Sequence, residues 1–209
     1  MVIDKVLDDI LNANSKIKIL RLFINRRHDF IGSGREIARA TGLTPPAAHA
    51  SLKELYNQDI LKREIIGKQH IYRLNMSSRI VKSILVPAFR TEKSVKRDII
   101  KFIKKKIRTE KLTNDIVSVV LYGSMQKGNV KKGDVDIAVI VKTGQVKSQT
   151  EKKFAEKITG EFHEYFGTHL DVYIKAKNEF KKKIILNRPP ISTMLKSYVV
   201  IYGKDLHSI

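Results

Sequence analysis

Apolar positions recur at helical spacing through the first third of the chain. Val2, Val6, Leu7, Ile10 and Leu11 share one side of a predicted helix over 2–12. Asn14-Ser15 caps a second, whose apolar side is Ile17, Ile19, Leu20, Leu22, Phe23 and Ile24. Gly32-Ser33-Gly34 breaks the pattern, and a short helix over 35–41 closes at Gly42. Thr44-Pro45-Pro46 opens another, carrying Ala48, Leu52 and Leu55 inward to about Asn57. Residues 60–66 and 69–74 read as a hairpin turning at Gly67-Lys68. Residues 78–111 read as mostly helical, with Pro87 marking a break or kink. The pattern then changes to apolar runs over 117–121, interrupted only at Ser118, and over 137–141, which predict strands. A helix over 148–166, weakened at Gly160, leads to a third strand over 170–175. A Lys-rich helix over 177–188 is interrupted by Asn187-Arg188-Pro189-Pro190. A final helix over 191–200 follows, and 201–205 closes the chain.

Chemistry concentrates where the first two apolar runs face each other. Val117-Ser118-Val119-Val120-Leu121-Tyr122 meets Gly123-Ser124, nine residues follow, and Asp134-Val135-Asp136-Ile137 opens the second run. Side chains alternate across a strand, so Asp134 and Asp136 share a face. Two carboxylates on one face repel, and a divalent cation of the Mg²⁺ type relieves the conflict. Gly123 allows close backbone approach to a ligand, and Ser124 adds a hydroxyl suited to phosphate. Taken alone, an Asp-x-Asp on a strand–turn–strand is common and carries little weight.

In this order, Tyr122-Gly123-Ser124 and Asp134-Val135-Asp136-Ile137 resemble the signature of the DNA polymerase β superfamily of nucleotidyltransferases, most nearly its small, minimal members. The resemblance covers roughly the second half of the chain and implies a short mixed sheet with α/β architecture. It implies a third acid from a later strand, and Asp171 in Leu170-Asp171-Val172-Tyr173 matches that context. The family's frequent Arg after Gly-Ser is Lys127 here, and its frequent Ser before the first acid is Gly133. The activity implied is transfer of a nucleoside monophosphate from a nucleoside triphosphate, ATP foremost, to an acceptor hydroxyl. Asp134, Asp136 and Asp171 would be catalytic and would hold Mg²⁺ in a two-metal site. Gly123, Ser124 and Lys127 would bind the triphosphate. The acceptor stays open between an RNA end, a protein side chain and a small hydroxylated molecule. An antitoxin-like AMPylation of a protein partner is one form of the second.

The stretch from Arg35 to Leu74, helices followed by a hairpin, resembles winged helix-turn-helix domains. The expected whole is therefore α+β: an N-terminal winged helix-turn-helix of three helices plus a β-hairpin, then the nucleotidyltransferase domain. Expected boundaries are 1–77, a basic helical linker over 78–111, and 112–209. The resemblance implies DNA contact through the helix beginning at Pro45 and the wing, at His49, Lys53, Lys62, Arg63, Lys68 and Arg73. That helix is poor in residues that read base edges, so phosphates dominate the expected contact. Dimerisation or partner contact is the alternative use of such a domain. It leaves open a regulator whose second domain senses nucleotide or is inactive.

Composition narrows the classes. The net charge is +20, with 16 Lys/Arg against 8 Asp/Glu in 1–90 and 25 against 13 in 91–209. Both parts favour a polyanionic partner, because cations that neutralise phosphates release condensed counterions. The absence of cysteine excludes disulfides and thiolate metal sites. No apolar run is long enough for a bilayer and Met1-Val2-Ile3-Asp4 opens no signal peptide, so the expectation is a cytoplasmic protein without a membrane partner.

Overall fold

A computed structural model describes residues 5–26, 30–123, 133–186 and 188–209. The chain divides into two compact units, Met1–Val95 and Lys96–Ile209. The stretch 78–111, expected as a linker, feeds both interiors. Val81, Leu85, Val86 and Phe89 are buried in the first, and Ile99, Ile103 and Ile107 in the second.

The first unit runs α1 (Val6–Leu11), α2 (Asn14–Asn25), β1 (Ile31–Ser33), α3 (Gly34–Thr41), α4 (Pro45–Asn57), β2 (Leu61–Ile66) and β3 (Gln69–Leu74). Strand β3 lies between β1 and β2 in an antiparallel sheet. The sequence reading placed only a break at 32–34; Ile31–Ser33 is a short strand whose Gly32 pairs with Tyr72. Ser33 then caps α3. Its hydroxyl accepts from the Glu36 N–H while the Glu36 carboxylate accepts from the Ser33 N–H, a reciprocal capping box. Those bonds hold the Glu36 carboxyl below its usual range, the backbone bond first. Ile19, Leu20 and Phe23 of α2 meet Ile37, Leu52, Leu55, Leu61 and Tyr72 in one core. Each such aliphatic side chain contributes roughly 1.5–3 kcal/mol by burial. This is winged helix-turn-helix architecture, with α4 in the position of the second helix and β2–β3 as the wing.

A π-helical turn over Val81–Leu85 precedes α5 (Val86–Thr109). Pro87 offers no N–H to the preceding turn, and the wider turn carries the chain past it into a continuous helix. The second unit continues with β4 (Ile116–Tyr122), β5 (Val135–Val141), α6 (Gly144–Lys153), α7 (Thr159–Phe166), β6 (Leu170–Ala176), α8 (Lys177–Leu186), α9 (Ile191–Met194) and β7 (Val199–Gly203). The sheet order is β6-β5-β4-β7, with β5 and β6 parallel and the other pairs antiparallel. Two elements depart from the expected pattern. The helix expected from 148 starts at Gly144 and passes through a π-helical turn over Phe154–Ile158. The final helix expected over 191–200 ends at Met194, and Val199–Gly203 pairs with β4. Val199, Val200 and Ile201 are β-branched, and the open edge of β4 offers them hydrogen bonds that a lone helix end cannot.

The sheet is covered on both faces. Val119, Leu121, Ile137 and Val139 pack against α5 and the α6–α7 stretch through Ile103, Ile107, Phe154, Ile158 and Phe162. Val120, Tyr122, Ala138 and Ile140, on the other face, pack against Phe180 of α8, Ile191 and Met194 of α9, and Leu206.

Candidate functional site

Parallel pairing of β5 with β6 sets Asp136 opposite Asp171, and antiparallel pairing with β4 sets Tyr122 opposite Asp136. The three residues thus form a row across adjacent strands, at the end of the sheet where β4 finishes and β5 and β6 begin. Asp134 precedes β5 by one residue, is exposed, and shares the Asp136 face by strand alternation. The register is extended by the Val135 N–H donating to the His169 carbonyl at 2.9 Å. His169 itself is stacked on His163, with ring centroids 4.5 Å apart and planes at 11°.

Gly123 follows Tyr122 with φ of +80°, a conformation open to glycine. A Cβ there would stand 2.0 Å from the Asp136 Oδ2, so no side chain fits between the backbone and that carboxylate. Asp136 is half-buried, and its pKa is raised by burial first, then by the charges of Asp171 and Asp134. The Tyr122 hydroxyl is pushed up to about 12 by burial, with Asp136, Asp171 and Tyr173 adding to the effect. It is a neutral phenol at any physiological pH. Tyr122 was read from the sequence only as the residue before Gly123; its place opposite Asp136 depends on the β4–β5 register.

All three acids fit a hard divalent cation by donor chemistry, since carboxylate oxygens are the ligands Mg²⁺ prefers. Burial first, and then the charges of Asp171 and Asp134, raise the Asp136 pKa, and such a cation would relieve the second of these. Among the described residues, however, no three His, Asp or Glu side chains are drawn together into a ready metal cluster. Ser124 and Lys127, expected at the triphosphate, lie outside the described residues.

In the first unit, a cleft of about 500 Å³ opens between the starts of α3 and α4 and the wing. His49 and Lys68 line it together with Arg35 and His70. The other wing cations are placed differently. Lys62 and Arg73 are cross-strand neighbours and line a smaller depression with Ile31 and Met76. Arg73 is ion-paired to Glu64 at 2.9 Å. Arg63 stacks over the Tyr56 ring at 4.4 Å from its centroid, and Lys53 is exposed on α4. The six expected DNA contacts are therefore distributed over more than one surface. Arg35 was missed in the sequence. Its signal was a cation in the first turn of a helix, where the macrodipole disfavours positive charge.

Among the described residues, no helix is long and apolar enough to cross a membrane. Residues 97–192 match the model of the nucleotidyltransferase domain. No curated protein matches the chain. Solved structures similar to it include HlyU from Vibrio cholerae N16961, 20% identical, with a TM-score of 0.35 over 41% of this chain and 87% of that one. Another is the homodimeric winged helix-turn-helix DNA-binding domain of Mb0332 from Mycobacterium bovis, a possible ArsR-family regulator. It is 19% identical, with a TM-score of 0.35 over 43% of this chain and 77% of that one. A third is MepR, a transcription regulator of the Staphylococcus aureus multidrug efflux pump MepA. It is 19% identical, with a TM-score of 0.36 over 53% of this chain and 82% of that one.

Proposed function

From a nucleotidyltransferase domain at residues 97–192 behind a winged helix-turn-helix, we propose that the chain transfers a nucleoside monophosphate from a nucleoside triphosphate to an acceptor hydroxyl. The observation that carries this reading is the placement of Asp136 opposite Asp171, beside a Gly123 that leaves the Asp136 carboxylate no room for a neighbouring side chain. The acceptor oxygen forms a new bond to the α-phosphorus, the bond between the α- and β-phosphates breaks, and pyrophosphate leaves. Asp171 takes the hydroxyl proton. Asp134, Asp136 and Asp171 would hold Mg²⁺, which when bound supplies charge neutralisation at the triphosphate and acidifies the acceptor hydroxyl. The backbone of Gly123 lies against the Asp136 carboxylate, and its amide would serve the phosphates. The winged helix contacts duplex DNA mainly through phosphates, with Arg35 and Lys68 of the cleft beside the wing among its cations.

The test is pyrophosphate release from each nucleoside triphosphate with Mg²⁺, in the presence of cellular RNA and protein as acceptors. Release that disappears in Asp171→Asn supports transfer. Release unchanged in that variant removes it.

A second reading is a DNA-binding regulator whose C-terminal domain binds nucleotide without turning it over. It is favoured by the winged helix-turn-helix architecture of the first unit and the cationic cleft that opens beside its wing. Nucleotide-dependent changes in operator affinity, with no covalent product, would mark it.

A further inference from the structure

The cleft of about 500 Å³ beside the wing joins two kinds of lining. The buried residues that line it, Leu52 of α4 and Tyr72 of β3, both belong to the core of the first unit. The His70 ring stands edge-on to Tyr72, with centroids 6.5 Å apart and planes at 80°, so the wing side of the cleft is aromatic. Among the exposed residues that line it are Arg35, in the first turn of α3, and Lys68, at the turn between β2 and β3. Among the described residues neither cation takes part in an ion pair. Gly34 lines the cleft as well. A Cβ added there would meet only the Leu52 Cδ1, at 3.8 Å, and Gly34 is not among the glycines of positive φ. Neither space nor backbone conformation calls for glycine at this position. What the missing side chain provides is room in the cleft.

The volume falls within the roughly 300–1,000 Å³ that suits a small organic molecule. DNA phosphates would use the two cations and leave the lining of Leu52 and Tyr72 uncovered. A small molecule with an aromatic body and one acidic group uses both. The planar guanidinium of Arg35 matches a carboxylate in bidentate geometry, and Lys68 adds a second positive charge. An aromatic body meets the Tyr72 and His70 rings at face or edge. We infer that the cleft is a binding site for a small aromatic carboxylate. Bound there, the carboxylate occupies Arg35 and Lys68, so the ligand and DNA phosphates exclude each other. This second part rests on the DNA contact proposed above. The exclusion is reciprocal, since linkage makes DNA weaken the ligand by the factor with which the ligand weakens DNA.

The experiment titrates the full chain with 2-naphthoate, and with 2-naphthalenemethanol as its uncharged counterpart, and maps binding by amide chemical shifts. The expected result is saturable shifts confined to the amides of 33–35, 47–52 and 68–72. The alcohol should bind at least about tenfold more weakly, because it offers no charge to Arg35 and Lys68. Shift mapping on the unmodified chain needs no variant to fold. Gly34→Leu, which fills the cleft, should abolish naphthoate binding while leaving the spectrum of the second unit unchanged. In parallel, anisotropy of a labelled DNA duplex is followed with and without saturating naphthoate, which should release the duplex. No saturable shift, shifts centred outside the cleft, or full naphthoate affinity in a folded Gly34→Leu protein overturns the site. Equal affinity for acid and alcohol overturns the carboxylate. Duplex binding that saturating naphthoate leaves unchanged overturns the exclusion and leaves the site standing. An unmodified chain that binds naphthoate in the cleft but no duplex overturns the DNA contact, and the exclusion with it.

Discussion

Asp136 and Asp171 stand opposite each other on adjacent parallel strands, and the charge of Asp171 adds to burial in raising the Asp136 pKa. A folded chain does not gain stability from such a pair. For an acid whose folded pKa lies above its ordinary 3.8, stability is fully present below that value and is lost as pH rises through the raised one. At neutral pH the pair is a standing cost that a cation or a neutral substitution removes.

Asp136→Asn is therefore expected to raise the melting temperature of the metal-free protein at pH 7 and to leave it unchanged near pH 3. The gain is at most about 1 kcal/mol, since a half-exposed carboxylate is screened. That corresponds to roughly 2–4 °C for a chain of this length. Thermal melts of both proteins across pH check it, and added Mg²⁺ should stabilise the unmodified chain more than the variant.

Gly123→Ala attacks the same site from the backbone. Its φ of +80° strains any residue with a Cβ, and the added methyl must displace the Asp136 carboxylate. We expect a loss of roughly 1–3 kcal/mol in chemical denaturation. Nucleotide binding should fall further than that loss explains, because the carboxylate moves. Binding retained at full strength in a folded Gly123→Ala protein would count against the placement of the site.

For duplex DNA, charge reversal at Arg35 and Lys68 in the 500 Å³ cleft should weaken binding on all sequences alike. The log–log salt slope should drop by about 0.9 for each phosphate left without its cation. Reversal at Lys62 and Arg73 should matter less, since Arg73 is already paired with Glu64 and both line a separate depression. Fluorescence anisotropy over a salt series separates the two pairs.

Much of this arrangement was legible in the sequence. The Gly-Ser and Asp-x-Asp spacing placed Gly123, Asp134 and Asp136, because strand alternation and a short loop leave few ways to join two buried runs. Asp171 was readable from its apolar context. Its position opposite Asp136 was not, since a one-residue slip in parallel register would move it to the other face. Strand β7 was hidden because Ile191–Val200 shows apolar residues at spacings that serve helix or strand alike, and only pairing with β4 decides. The wing cations were visible as residues but not as surfaces. Arg63 and Arg73 find local partners in Tyr56 and Glu64 that no spacing rule reveals.

The most direct measurement is calorimetry of ATP binding with and without Mg²⁺, on the unmodified chain and on the Asp134→Asn, Asp136→Asn double variant. If these carboxylates hold the metal that anchors the triphosphate, the unmodified chain binds ATP with Mg²⁺ and the double variant shows no metal-dependent binding. Equal metal-dependent binding by the two proteins would contradict the site.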